Sequence, residues 1–509
     1  MTTIPNNSKI LVIGGTDPSG AGLQTDWKII HALKCSAKSI VTAVTAQNHL
    51  GVQNMGVLST EQISAQFESI KQDTFSAIKI GMLGNAEIIE VLINYLHSFS
   101  ENYKPIVILD PVLIASSGGK LLEPAAYSIL LNSLLPFVDL LTPNIQELTL
   151  LTQTSIETEE QASLAVKSLN KFGVKSVLVK GGHWQDKQHS NDLFFSENTD
   201  GSLDGKIHGK LVGKRWKNRQ NVRGTGCALA TAIAVFSAQG YCLTDAIVIA
   251  KSLVSRGIRK AKKLGESLQL NIAVKEPRFK SRDLPRLFIK AGKENNNKDE
   301  NNQNRLPSCG TKKLGIYPVV DSFEWIQKLV PLGIKTIQLR IKDKAETEVE
   351  AEIKATIDYC KEHQIRLFIN DYWRLAIKHQ AYGIHLGQED IETADLDAIA
   401  QSGCRLGLST HSYTEVARAH AIKPSYLALG PIFATSSKIM PWIPQGVDAV
   451  SHWVKLLGDE YPLVAIGGID HQRAEALKKT GVGSVAMISS ITQAKDYKKA
   501  TLDLIKLWE

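Results

Sequence analysis

Between Lys293 and Arg305 the chain runs Lys-Glu-Asn-Asn-Asn-Lys-Asp-Glu-Asn-Asn-Gln-Asn-Arg, without one apolar side chain. A stretch like this buries nothing that could offset the entropy of ordering it, so it predicts a flexible tether. As a coil its ends lie roughly 20 Å apart, enough to join two globular bodies without fixing their orientation. At 509 residues the chain is also too long for a single core. The expected organisation is a first domain over 1–272, a polar linker over 273–312 and a second domain over 313–509.

The composition, 43% hydrophobic and 22% charged, is that of an ordinary enzyme. The formal charge of +8 comes without a basic helix or an aromatic-basic ladder, which argues for anionic small substrates and against nucleic acid. The six cysteines are scattered, with no spacing that suggests a zinc site or a disulfide framework. Residues 1–9 are polar, and no uncharged apolar run approaches membrane-spanning length. The expectation is a cytoplasmic protein without a membrane partner, compatible with a homo-oligomer.

In the first domain Lys9–Ile13 is an apolar run that ends in the glycine-rich loop Gly14–Gly22, with a helical pattern through Leu33. The same grammar repeats at Ile40–Ala46, Ile78–Ile80, Ile106–Leu109, Leu140–Leu141 and Val177–Val179, each run ending in polar or glycine residues. That is a doubly wound α/β sheet, with its ligand-binding groups at the carboxyl edge. Gly224-Thr225-Gly226-Cys227 opens an Ala-rich helix. Backbone N–H groups there can hold a phosphate, and the helix dipole favours a Cys227 thiolate able to accept a proton.

Seven stretches in order carry a resemblance: Gly15-Thr-Asp-Pro-Ser-Gly20, Thr45-Ala-Gln-Asn48, Lys79-Ile-Gly-Met-Leu83, Leu109-Asp-Pro111, Thr142-Pro-Asn-x-x-Glu147, Val179-Lys-Gly-Gly-His183 and Gly224-Thr-Gly-Cys227. Residues 9 to about 265 resemble the hydroxymethylpyrimidine and phosphomethylpyrimidine kinases, which have a ribokinase-like fold. The resemblance implies that Asp26, Gln47 and Met82 hold the aminopyrimidine and that Asp110 and Glu147 organise Mg2+. It puts Lys180, Asp192, Gly224, Thr225 and Gly226 toward the phosphates and sugar of ATP, and makes Cys227 the base. Arg223 stands where that family usually has histidine.

In the second domain strand-length apolar runs occur at 314–320, 336–339, 366–369, 383–386, 405–408, 426–429, 463–466 and 484–488. Eight such runs with helical patterns between them predict a (β/α)8 TIM barrel, whose site lies on the loops after the strands. Those loops hold Arg340, Lys342, Asn370, Asp371, Asp390, Ser409, Thr435, Ser437, Lys438, Gly467, Gly468, Ser489 and Ser490, a set suited to a phosphorylated, magnesium-bound substrate.

The motifs Gln338-Leu-Arg-x-Lys342, Ile369-Asn-Asp371, Gly383-Ile-His-Leu-Gly-Gln-Glu-Asp390, Gly430-Pro-Ile-Phe433, Thr435-x-Ser-Lys438, Ile466-Gly-Gly-Ile469 and Met487-Ile-Ser489 make residues 313–509 similar to thiamine phosphate synthase. The resemblance implies that Arg340, Lys342, Asn370 and Lys438 bind the pyrimidine's diphosphate, with Gln338 and Ser409 near its ring. Asp371 and Asp390 would hold Mg2+, and Thr435, Ser437, Gly468 and Ser489 the thiazole phosphate. Tyr382 replaces a frequent aspartate, outside the ring of site residues. The two resemblances together imply consecutive steps of thiamine biosynthesis. The alternative is a pyridoxal kinase-like first domain joined to a non-catalytic or tautomerase-like barrel.

Overall fold

A computed structural model describes residues 8–18, 20–48, 51–100, 103–114, 119, 121–182, 186, 188–196, 207–217, 219, 222–264, 267–272, 279–289, 306–342, 344–434 and 443–509. The chain divides into two compact units, Thr2–Lys290 and Ala291–Glu509. The apolar-free stretch over 293–305 lies outside the described residues.

The first unit is built on one sheet. Its strands are β1 (Lys9–Thr16), β2 (Ser36–Asn48), β3 (Gly51–Val57), β4 (Ala77–Ile80), β5 (Ile106–Leu109), β6 (Leu140–Leu141), β7 (Ser176–Val179), β8 (His189–Ser196), β9 (Ile207–Lys214) and β10 (Arg286–Ile289). They lie in the order β10-β9-β8-β7-β6-β5-β4-β1-β2-β3. The six apolar runs read from the sequence form its parallel centre, β2-β1-β4-β5-β6-β7. Strands β4 and β7 are buried along their whole length, as expected where helices cover both faces of a sheet.

Antiparallel strands extend the sheet at both ends: β3 beside β2, and β8, β9 and β10 beyond β7. Strand β10 falls inside the expected linker 273–312, so that expectation needs correction: residues 286–289 pair with β9 at the sheet edge. Just before them Asp283 is buried and takes two hydrogen bonds from Arg259.

Helix α1 (Leu23–Ala32) follows β1, and α2 (Ile145–Thr152) follows β6. Helix α3 (Thr225–Ala238) packs against α1, β4 and β5. Its Ala228, Ala230, Ala232 and Ala234 are fully buried, and these small side chains let the helix lie close to the sheet.

The second unit is a closed barrel of eight parallel strands. They are β11 (Gly315–Val320), β12 (Thr336–Leu339), β13 (Arg366–Asn370), β14 (Gly383–Leu386), β15 (Arg405–Thr410), β16 (Tyr426–Leu429), β17 (Leu463–Ile466) and β18 (Ser484–Met487). The inward ring contains Tyr317, Phe368 and Tyr426. Two glycines make room for these rings: a Cβ at Gly383 would come 2.5 Å from Phe368, and one at Gly407 would come 2.1 Å from Tyr426.

The amino end of the barrel is closed by the segment that leads into it. Leu306 and Cys309 are buried, Ser425 Oγ donates to the Pro307 carbonyl, and Arg405 Nε donates to the Ser308 carbonyl. The expected linker is thus shortened at this end too. Tyr382 belongs here: its hydroxyl donates to the Cys309 carbonyl and the Arg405 guanidinium lies 4.1 Å from its ring centroid.

Candidate active sites

In the first unit the carboxyl ends of β5, β6 and β7 bring three charges together. Lys180 Nζ lies 2.5 Å from Asp110 Oδ1 and 3.7 Å from Glu147 Oε2. Glu147 is fixed by a reciprocal cap on α2: Asn144 Oδ1 accepts from its N–H at 2.9 Å, and its carboxylate accepts from the Asn144 N–H at 2.7 Å. Burial, opposed by Lys180 and reinforced by Asp110, raises Glu147 to about 7. Burial alone would lower the Lys180 ammonium, but Asp110 and Glu147 hold it above its ordinary value.

Two desolvated carboxylates sharing one ammonium fit a divalent cation held by protein and substrate phosphates together, since Mg2+ commonly takes one or two carboxylates. Among the described residues no group of three or more His, Cys, Asp or Glu could hold a metal alone.

Gly224, Thr225 and Gly226 bend the chain into α3 beside this cluster. Gly224 is left-handed at φ 77°, and a Cβ there would meet Thr25 Oγ1 at 2.9 Å. A Cβ at Gly226 would lie 3.4 Å from Lys180 Nζ and 4.0 Å from Asp110 Oδ2.

Cys227 follows, half-buried at the start of α3, and its surroundings work against the thiolate expected from the helix dipole. Burial pushes its thiol up to about 12; Lys79 and Lys180 oppose the shift, while Asp110 and Asp26 add to it. The helix N-terminus does not outweigh desolvation beside two carboxylates, so the site at rest holds a neutral thiol.

Asp26 also needs correction. It is fully buried, with Oδ2 2.9 Å from Lys79 Nζ and Oδ1 accepting from Thr231 Oγ1 at 2.6 Å. Both oxygens are committed to the protein, so Asp26 anchors Lys79 beneath α3 instead of lining open space. Asp192 is likewise buried, with Oδ1 accepting from the Gly181 N–H at 2.8 Å and Oδ2 paired with Lys251. It holds the loop that carries Lys180.

Met82 is buried against Ala43 and Leu121 and lies close over Gly15, where a Cβ would come 2.8 Å from Met82 Sδ. Gln47 is half-buried on β2, where the pairing with β3 slips by a bulge. Sequence reading missed Lys79, Thr231 and Lys251 as partners of these groups. A lysine inside the apolar run Ala77–Ile80 was the available signal.

In the second unit Gln338, Arg340, Asn370, Asp371, Asp390 and Ser409 lie at or just beyond the carboxyl ends of β12, β13, β14 and β15. Asp371 has the left-handed φ of 65°. Desolvation of its inner flank and the neighbouring Asp390 carboxylate raise Asp371 to about 6, with Arg340 opposing. Asp390 Oδ2 accepts from the Gly387 N–H at 3.1 Å. This close carboxylate pair with an open face fits a hydrated Mg2+.

Lys342 is exposed and Asn370 buried. Gly468, at φ 61°, has no room for a Cβ, which would come 2.3 Å from the Ala434 carbonyl. Ser489 is exposed at the start of the short helix Ser489–Thr492. Thr435, Ser437 and Lys438 lie outside the described residues. Sequence reading passed over His385, whose Nε2 lies 2.9 Å from Ser409 Oγ and whose ring is lowered to about 4 by burial and Arg340.

A mixed α/β sheet with a lysine-bridged carboxylate pair at its carboxyl edge, and a TIM barrel with a carboxylate pair at its mouth, define two enzyme units on one chain. The phosphomethylpyrimidine kinase family matches residues 17–271, and the thiamine monophosphate synthase family matches residues 316–491. The thiamine-phosphate synthase of Cronobacter sakazakii is 58% identical over 195 residues, 38% of this chain and 92% of that protein. The same enzyme of Pectobacterium atrosepticum is 54% identical over 198 residues, 39% of this chain and 93% of its own.

Among solved structures, a phosphomethylpyrimidine kinase of Clostridium difficile is 32% identical, covering 50% of this chain and all of its own, with a TM-score of 0.42. The pyridoxal kinase of Staphylococcus aureus with pyridoxal is 24% identical, covering 56% and 98%, with a TM-score of 0.48. The chain belongs to the phosphomethylpyrimidine kinase family in its first unit and to the thiamine-phosphate synthase family in its second. It joins a kinase and a transferase of thiamine biosynthesis, and the pyridoxal kinase and tautomerase alternatives are not favoured.

Proposed function

We propose that the first unit phosphorylates 4-amino-5-hydroxymethyl-2-methylpyrimidine twice with ATP, and that the second couples the resulting diphosphate to thiazole phosphate, releasing pyrophosphate. The observation that carries this reading is the lysine-bridged pair Asp110 and Glu147 beside Cys227, next to a helix start that can accept a phosphate. Mg2+ held by Asp110 and Glu147 would neutralise charge on the transferring phosphoryl group, and Lys180 would turn from the carboxylates to the phosphates. Met82 and Gln47 would border the ring. Cys227 would take the proton of the attacking hydroxyl, and its raised resting state means the thiolate forms only with cationic groups gathered around it.

In the barrel Arg340, Lys342, Asn370 and Lys438 would hold the diphosphate, with Mg2+ on Asp371 and Asp390. Thr435, Ser437, Gly468 and Ser489 would receive the thiazole phosphate. The electron-rich ring spreads positive charge as diphosphate leaves, so these cations act on the leaving group and no protein base is required.

The test is a one-pot reaction of full-length protein with hydroxymethylpyrimidine, Mg-ATP and thiazole phosphate, read as thiochrome fluorescence after oxidation. Product is expected. Product only when the pyrimidine diphosphate is supplied would overturn the kinase half, and none with it supplied would overturn the synthase half.

A further inference from the structure

The kinase family match ends at residue 271, yet the first unit goes on beyond it. Phe279, Leu284 and Leu287 are buried, and β10 pairs with β9, with Arg286 opposite Val212. Two residues past that pairing β9 ends at Lys214, and the chain turns through Arg215 and Trp216. The added segment is therefore packed next to a loop at the same edge of the sheet as Lys180.

A series of contacts joins the two. The Asp283 side chain is fully buried and takes both arms of Arg259, Nε at 2.8 Å from Oδ1 and Nη2 at 2.6 Å from Oδ2. Such a bidentate pair fixes the plane of the guanidinium as well as its position. Arg259 ends helix α4 (Leu243–Arg259), and its Cζ lies 5.4 Å from the centroid of the Trp216 ring, within reach of a cation–π attraction. The indole N–H donates to Ser255 Oγ on the same helix at 3.1 Å, and Lys214 Nζ lies 5.1 Å from the ring. Arg215, the residue before Trp216, donates from Nε to the His189 carbonyl at 2.7 Å and from Nη2 to the Gly182 carbonyl at 3.0 Å. Gly182 lies two residues after Lys180, whose ammonium bridges Asp110 and Glu147.

We infer that Asp283 and Arg259 are positioning residues of the kinase, and that residues 279–289 are a working part of its site. They fix Trp216, and through Arg215 they hold the turn from Lys180 to Gly182 in the place where the phosphates of ATP are received. The inference rests on the reading of Lys180 as facing those phosphates. Gln47 and Met82, proposed to border the pyrimidine, take no part in these contacts, so the effect of the clamp falls on the nucleotide.

The test uses full-length protein and pyrimidine-dependent ATP turnover. Arg259→Lys keeps the charge and loses the planar fork that grips Asp283 and covers the indole. It should raise the KM for ATP about tenfold, since small misplacements beside reacting groups carry costs of that order, and leave the KM for hydroxymethylpyrimidine unchanged. Coupling of supplied pyrimidine diphosphate in the same sample measures intact protein and should not change. A clamp that only stabilises the fold would lower the melting temperature and the amount of active kinase with both KM values unchanged, and that result overturns the inference.

Trp216 is only half-buried, so Trp216→Leu removes the ring without opening a core, and it should raise the KM for ATP in the same way. The two variants together should do no more than either alone, because they interrupt one path; effects that multiply would show that Arg259 does not act through Trp216 and would overturn the inference. Lys180→Met separates the clamp from the reading beneath it. If Lys180→Met leaves ATP turnover unchanged, the phosphate-facing reading fails and the inference with it. If it abolishes turnover while Arg259→Lys and Trp216→Leu leave the KM for ATP unchanged, only the clamp fails.

Discussion

Around the site of the kinase unit the buried lysines and carboxylates are paired: Asp26 with Lys79, Asp192 with Lys251, and Lys180 with Asp110 and Glu147. At the carboxyl end of the barrel the buried side chains Gln338, Tyr317, Tyr426 and His385 are uncharged and hydrogen-bond one another as far as Ser409, while Lys342 and Asp371 are exposed at the rim. The difference follows the chemistry proposed for each. Phosphoryl transfer to a hydroxyl needs a proton acceptor and a cation site together in a desolvated pocket, so charge must be carried inside against its desolvation. Coupling as proposed needs charge only where diphosphate departs, so the interior can stay free of ion pairs there.

The sharpest way to break the comparison is Cys227→Ala. It should lower phosphorylation of hydroxymethylpyrimidine by on the order of 10²–10⁴-fold and leave coupling of supplied diphosphate intact. Retention of most kinase activity would remove the base from this thiol.

Next is the buried pair under α3. Lys79→Met leaves Asp26 without its counter-charge and should destabilise the first unit by about 3–5 kcal/mol in denaturant unfolding. Adding Asp26→Asn should recover most of that loss, and no recovery would mean that the charges themselves are required.

In the barrel, Arg340→Ala should lower coupling by on the order of 10²–10³-fold while pyrimidine-dependent ATP turnover stays the same. Unchanged coupling would sink its role at the diphosphate.

A smaller effect concerns the thiol. With Cys227 raised to about 12, its alkylation at pH 8, followed on its own peptide, should be at least about tenfold slower than that of an unhindered cysteine. Fast alkylation would restore the thiolate first expected from the helix dipole.

The smallest is a pH effect at the rim. Asp371, raised to about 6, takes up a proton below that pH and then competes with Mg2+. At limiting Mg2+ the coupling rate should fall severalfold from pH 7 to 5, and excess Mg2+ should reverse the fall. A Mg2+-independent decline would point elsewhere.

Local pattern carried much of this protein. An apolar run followed by glycine or a charge located the six central strands of the sheet and all eight of the barrel, because burial on both faces imposes continuous apolar residues. It also marked the ends of those strands, where Asp110, Lys180, Arg340 and Asp371 stand. It was silent on β8, β9 and β10, whose antiparallel, half-polar edges resemble loops, and it extended the linker over residues that pair as β10 or close the barrel floor.

From the sequence alone came the two-unit architecture and the parallel strands of both units, since these follow from residue order and periodicity. The tertiary structure decided protonation and partnership. Asp26 binds Thr231 across 205 residues, and the Cys227 thiol is acted on by the charges of Asp26, Lys79, Asp110 and Lys180, from four separate segments. The hydrogen bonds that link Gln338 to Ser409 join strands that meet only when the barrel closes. Desolvation and hydrogen-bond polarity depend on neighbours distant in the chain, and no local spacing encodes them.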